Sequence, residues 1–149
     1  MRRLCLGLLA LGVGIVSTAA VATDDPILTR KKLMQANGGA IYGVANGMLK
    51  GEIPFEVVAA NAALRTTSAV AYSFGDYFPE GSETGGETRA SPKIWEDMAG
   101  FQAALEEFRK DADAAVAAKP QDLEAFKLVV NELGQNCKTC HDEYRLEDD

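Results

Sequence analysis

Residues 122–146 read DLEAFKLVVNELGQNCKTCHDEYRL. Leu123, Phe126, Val130, Leu133, Cys137, Cys140 and Tyr144 follow one another at steps of three and four, which places them on one face of an α-helix. The spacing predicts a helix from about Asp122 to Leu146 whose apolar stripe packs against partner helices. Upstream, Pro120 ends a linker. Before it, a third helix opens at Ser91-Pro92, a cap residue followed by proline. Its stripe is Ile94, Met98, Phe101, Leu105, Phe108 and Ala112. A loop from Gly75 to Ala90, rich in Gly, Glu and Thr, precedes it. A second helix is expected from Pro54 to about Tyr72, with Phe55, Val58, Ala62, Ala69 and Tyr72 on its buried side. The first is expected from about Pro26, a proline suited to a first helical position, to Leu49. Its apolar line is Ile27, Met34, Ile41, Val44 and Met48. No stretch sustains the alternation of a strand. Four amphipathic helices predict an all-α, antiparallel four-helix bundle.

The chain has 149 residues, 47% apolar and 25% charged, enough for one domain. Arg2 and Arg3 are followed by an uncharged run from Leu4 to Ala22 that ends Ala20-Val21-Ala22. Basic start, apolar middle and small-residue end are the layout of a secretory signal peptide over residues 1–22. Residues 23–149 then form the bundle domain. An uncleaved anchor is the alternative, since about 19 apolar residues just span a bilayer. Cleavage would remove two arginines and no acid, moving the formal charge from −7 to −9 and leaving 127 residues. A chain this acidic repels nucleic acid and anionic membrane. It suits instead a periplasmic redox partner with a basic patch.

Cleavage also discards Cys5 and leaves Cys137, Cys140 and the sole histidine, His141. Cys137-Lys138-Thr139-Cys140-His141 spells C-x-x-C-H, the attachment signature of c-type haem. Residues i and i+3 share a helical face, so both thiols reach the vinyl groups on one edge of a porphyrin. His141, at i+4, faces the same way and offers a ring nitrogen to the iron. A thioredoxin-like pair would follow a strand and open a helix. Zinc would require about four ligands, more than the chain provides after cleavage. A disulfide would close a tiny loop and leave His141 unexplained.

These residues bring a resemblance into view. The chain resembles the class II cytochromes c, the cytochrome c′ group, along its whole length after the leader. The stretches that carry the resemblance are Cys137 to Arg145, Ser91-Pro92-Lys93-Ile94-Trp95, and Arg30-Lys31-Lys32-Leu33-Met34 with Asn37-Gly38 behind it. The resemblance implies a soluble periplasmic haem protein, often an antiparallel homodimer through its first two helices. It also implies that the second axial position of the iron faces the first helix. There most relatives carry a non-coordinating apolar or aromatic residue and a low-spin subgroup carries methionine. The matching residue here is Met34, a competent thioether ligand that would otherwise simply fill the core. Met48 and Met98 do not fall at that position and are expected in the core.

Other residues around such a haem have two readings each. Arg145, four residues after His141, lies by the proximal face or is a solvated helix-end arginine. Arg30 pairs with a haem propionate or stays on the surface. Lys31 and Lys32 are expected to be solvated. Tyr144 and the sole tryptophan, Trp95, are expected to pack. Gly38-Gly39 allows close approach of a flat ring or of another helix. Catalysis such as peroxidase chemistry needs a distal acid–base group, which the chain lacks as a second histidine, so no enzyme is expected. Two functions remain: a one-electron carrier if Met34 binds iron, and a five-coordinate binder of nitric oxide or carbon monoxide if it does not.

Overall fold

The computed structural model describes residues 25–147. The expected signal peptide, residues 1–22, lies outside the described residues. Helix α1 (Pro26–Gly38) opens as its sequence predicts. Asp25 Oδ1 accepts from the backbone N–H groups of Ile27 at 2.9 Å and Leu28 at 3.1 Å, satisfying two of the donors a helix start leaves open. The helix continues as a wider π-helical segment (Gly39–Ala45) and closes with α2 (Asn46–Leu49). Together these make the first arm of the bundle, ending where expected.

Helix α3 (Val57–Ser73) starts three residues after Pro54, because Glu56 is still extended at φ −128° and ψ 115°. Its buried side is Ala60, Ala63, Leu64, Thr67, Val70 and Ala71. Of the expected side, Phe55, just before the helix, packs on Phe126 in the core, but the helical residues turn outward: Val58 is 79% exposed and Tyr72 is 56% exposed, and Ala62 and Ala69 are exposed as well. The helix is so rich in alanine that both faces are apolar enough to read as the inner one. Packing against the first arm and α5 selects between them. A 3₁₀ turn (Phe74–Tyr77) follows.

The expected third helix is broken in two. A single turn, α4 (Lys93–Glu96), stops at Asp97, whose φ −133° and ψ 62° leave the helical region. Helix α5 (Met98–Ala118) then starts with Asp97 Oδ1 accepting from Gly100 N–H at 3.0 Å. A short acidic side chain that captures a nearby backbone N–H caps a new helix rather than continuing the old one. Lys119, left-handed at φ 45°, ends α5.

Helix α6 (Leu123–Tyr144) is capped by Asp122, which accepts from Ala125 N–H at 2.8 Å. It stops two residues short of Leu146. Arg145 is extended and forms an isolated antiparallel bridge with Ala90. Ser91 N–H donates to Tyr144 O at 3.0 Å and Leu146 N–H to Arg89 O at 2.9 Å, so the chain end is strapped to the loop before α4.

Helix α3 packs on α5, α5 on α6 and the first arm on α3, while α6 meets the first arm through α2. The α5 and α6 stripes are buried as their spacing predicts, down to Phe101 and Phe126 at 1% and 0% exposure. Each such side chain contributes roughly 1.5–3 kcal/mol through burial. The core falls into two clusters. One, around Met48, Leu64, Phe126 and Leu133, fills the α2 end. The other, Phe78, Ile94, Phe101, Leu105 and Tyr144, lies under the loop.

Candidate functional site

Away from α2, a cavity of about 500 Å³ is lined by residues of α1, α5 and α6. Its α6 wall carries Cys137, Cys140 and His141, and its α1 wall carries Met34, Asn37 and Gly38. Phe101, Leu105 and Phe108 of α5 make an apolar floor.

The two cysteines are half-buried and not bonded to each other. Burial pushes both thiols up, Cys140 to about 11 with Cys137 adding to the effect. Burial lowers His141, and the charges of Arg145 and Arg89 lower it further while Asp142 opposes them. The net effect favours the neutral ring, the form whose nitrogen can bind a metal.

Arg30 is not a surface residue: it is 4% exposed. Nη1 donates to Tyr77 O at 3.1 Å and Ser82 Oγ at 3.0 Å. Nη2 donates to Ser82 O and Thr88 Oγ1, both at 2.6 Å. The guanidinium lies 4.9 Å from the Phe78 ring centre and 5.5 Å from that of Trp95. Burial lowers its pKa, opposed by the charges of Asp25 and Glu83. The residue thus ties the 77–88 loop to α1, one turn before Met34, and a carboxylate ligand would have to share these donors. Lys31 is not simply solvated, pairing with Glu87 at 3.3 Å. Trp95 packs on Phe78 and donates Nε1–H to Pro79 O at 3.2 Å. Arg145 lies beyond the helix, exposed, yet it lines the cavity and its N–H donates to His141 O at 3.1 Å.

The glycine pair separates the two explanations given for it. A Cβ on Gly39 would meet nothing within 4 Å, and one on Gly38 only Tyr42 of the same arm at 4.0 Å. Among the described residues no other helix comes within 4 Å of either position, and Gly38 lies on the cavity wall. Asn37 was not among the expected site residues, although it falls three positions after Met34. It is 8% exposed, and its Oδ1 has no hydrogen-bond partner among the described residues. Ser82 and Thr88, which hold Arg30, carried no signal in the sequence because they lie about 50 residues away.

A flat, largely apolar group fits this cavity. With space at Gly38 and an aromatic floor, the two thiols on one helical face and the imidazole beside them could hold a c-type haem.

A helical bundle with this site defines a c-type haem protein. The family model described as cytochrome c′ matches residues 25–145, and the chain belongs to that family. Haem c, covalently attached and carrying iron, is its cofactor. The chain is 38% identical over 133 residues to cytochrome c-556 of Agrobacterium fabrum, covering 89% of each. Its fold is similar to the solved cytochrome c′ from Rhodopseudomonas palustris, with TM-score 0.78 and 33% identity over 85% of this chain and 99% of that one. A second solved cytochrome c′, described as having a ligand-controlled dimer dissociation, gives TM-score 0.76 and 25% identity over 87% and 100%.

Proposed function

We propose that the chain is a periplasmic one-electron carrier, with Cys137 and Cys140 as its thioether residues and His141 and Met34 as the two axial ligands. The observation that carries this reading is a cavity that gathers three neighbouring α6 side chains and Met34 of α1. Haem bound there supplies a one-electron Fe(III)/Fe(II) couple. Cys137 and Cys140 fix its orientation, and His141 presents a neutral ring nitrogen. Met34 supplies a thioether, which raises the potential of a histidine-ligated iron. Phe101, Leu105 and Phe108 keep water from the site. Arg30 holds the loop over one edge, and Arg145 sets the charge beside His141.

The test is the spin state of the ferric protein at neutral pH. A low-spin spectrum with a Met–Fe(III) band near the red end is expected. Met34→Leu roughly conserves volume, a swap that usually costs under about 1.5 kcal/mol in a core. That variant should fold, lose the band, become high-spin and bind carbon monoxide and nitric oxide faster. A high-spin spectrum in the unsubstituted protein would refute Met34 as ligand and favour the gas-binding reading.

The same proposal covers location and partners. Residues 1–22 direct export. Among the described residues no helix is long and apolar enough to cross a membrane. The acidic chain meets a redox partner with a basic patch, through an association that weakens as salt is added. Val58 and Tyr72 of α3 and Leu28 and Tyr42 of the first arm are exposed apolar side chains. A shallow groove between the first arm and α3, lined by Ala36, Ala40 and Ala62, is the surface a second copy of the chain would cover. Sedimentation of Val58→Glu and Tyr42→Glu variants as monomers, against a dimeric parent, is the expected result.

A further inference from the structure

Three sides of the bundle are helix against helix: the first arm on α3, α3 on α5 and α5 on α6. The fourth side, between α1 and α6, holds the cavity, and there α6 meets the first arm through α2. At the other end, where α1 begins and α6 stops, the 77–91 loop spans the gap. It is fastened to α1 through Arg30, whose two terminal nitrogens donate to Tyr77 O, Ser82 Oγ, Ser82 O and Thr88 Oγ1. Lys31 Nζ donates to Gly86 O at 3.2 Å. Gly86, left-handed at φ 53°, lies so close to Ile27 of α1 that a Cβ on it would come within 2.9 Å of that side chain. The loop is fastened to the end of α6 by backbone. Ser91 N–H donates to Tyr144 O at 3.0 Å, Leu146 N–H donates to Arg89 O at 2.9 Å, and Ala90 bridges Arg145. Thr88 joins the two fastenings: its Oγ1 accepts from Arg30 Nη2 at 2.6 Å and from Ala90 N–H at 3.2 Å. A hydroxyl oxygen has two lone pairs and can accept both.

Each fastening falls one helical turn from a proposed axial ligand. Arg30 precedes Met34 by four residues on α1, and Tyr144 follows His141 by three on α6. A hydrogen-bonded helix is stiff over one turn and carries a restraint along itself. The loop therefore sets the span between the sulfur on one wall and the imidazole on the other. We propose that the 77–91 loop is a strap that holds Met34 at the iron, with Thr88 as the positioning residue that couples its two ends. The inference rests on the proposed ligation by Met34 and adds what controls it. When the strap loosens, α1 keeps its packing on α3 but loses its tie to α6, and the sulfur leaves the iron more often. A small neutral gas such as carbon monoxide then takes its place. The exchange is a substitution without change of oxidation state: the Fe–S bond breaks, its electron pair stays on sulfur, and the carbon lone pair makes the new bond.

The experiment mixes ferrous holoprotein rapidly with carbon monoxide and follows binding by absorbance. Thr88→Val keeps the shape of the side chain and removes the shared acceptor. Leu146→Pro removes the N–H that reaches Arg89 O, and Arg145 is already extended at φ −120° and ψ 135°, the region a residue before proline adopts. Leu146 is exposed and does not line the cavity, so its effect reaches the iron through the strap. Each variant should keep its helix content and bind carbon monoxide about twofold to tenfold faster than the parent, the factor for one net hydrogen bond. Thr88→Ser retains the hydroxyl and should bind at the parent's rate. Together, Thr88→Val and Leu146→Pro should fall short of the product of their separate factors, because both release one strap. In the Met34→Leu background the same substitutions should leave the rate unchanged, since no sulfur remains to be displaced. An equal rise in both backgrounds would mean that the loop merely shields the cavity, and overturns the inference. A low-spin parent whose rate responds to neither variant also overturns it while leaving Met34 ligation standing. A high-spin parent removes the ligation and the inference together.

Discussion

The anchoring of the 77–88 loop by Arg30 makes a quantitative prediction. Arg30→Met keeps a long unbranched stem and removes the guanidinium. Tyr77 O and Ser82 O then lose the donors that reach them at 3.1 and 2.6 Å. An acceptor left unsatisfied in a buried place costs about 1–3 kcal/mol. Loss of the contacts with the Phe78 and Trp95 rings adds roughly 0.5–2 kcal/mol each. Against this, a buried cation no longer has to be kept out of water, a real offset because burial already lowers the Arg30 pKa. The net loss is expected at about 2–5 kcal/mol, set mainly by the two acceptors left without donors. Denaturant unfolding of the holoprotein, followed by far-ultraviolet circular dichroism, measures it. Limited proteolysis should cut the loop between Tyr77 and Arg89 faster in the variant. Arg30→Lys keeps the charge but not the planar fork, and should recover less than half of the loss. A loss under about 1 kcal/mol, with the loop as resistant as before, would show that these four hydrogen bonds do not hold it.

Thr67, 0% exposed with an Oγ1 that has no partner among the described residues, should tolerate Thr67→Val, gaining about 1 kcal/mol in denaturant unfolding as a buried unsatisfied hydroxyl is removed; a clear loss would mean the hydroxyl has a partner. Gly100→Ala should destabilise by about 1–3 kcal/mol despite alanine's better helix propensity. Its Cβ would collide with the capping carboxylate of Asp97 and approach Tyr144 Oη to 2.7 Å; an unchanged melting temperature would contradict that packing. Tyr72 Oη donates to Asp113 Oδ2 at 2.6 Å, and this bond, then the carboxylate's charge, raises the phenol above its ordinary value. Because the folded value is the higher one, the bond's contribution is present below the ordinary tyrosine range and lost as pH rises through the raised value. Ultraviolet titration, with Tyr72→Phe as the difference reference, should place Tyr72 above 10, and Asp113→Asn should bring it down.

Much of the bundle follows from local spacing alone. Helix α6 was legible because its stripe mixes large apolar residues with charged ones, so a single face can be buried. The same holds for α5 beyond Asp97. The thiols and imidazole of the site were legible because they lie within five residues of one helix, whose repeat alone brings them together. What required tertiary structure has a common physical cause: the deciding partner is distant along the chain, or the local signal is degenerate. In α3 alanine occupies both faces, so only the neighbours it packs against choose the inner one, and Val58 and Tyr72 turn outward. At Asp97 an acidic residue inside a helical pattern is tolerable until its carboxylate takes the Gly100 N–H. Arg30 looks like any surface cation until Ser82 and Thr88, some fifty residues on, surround it. Asn37 looks like a polar helix residue until the gap between α1 and α6 turns it inward. Local spacing sets which residues share a face; only the packed chain sets what that face meets.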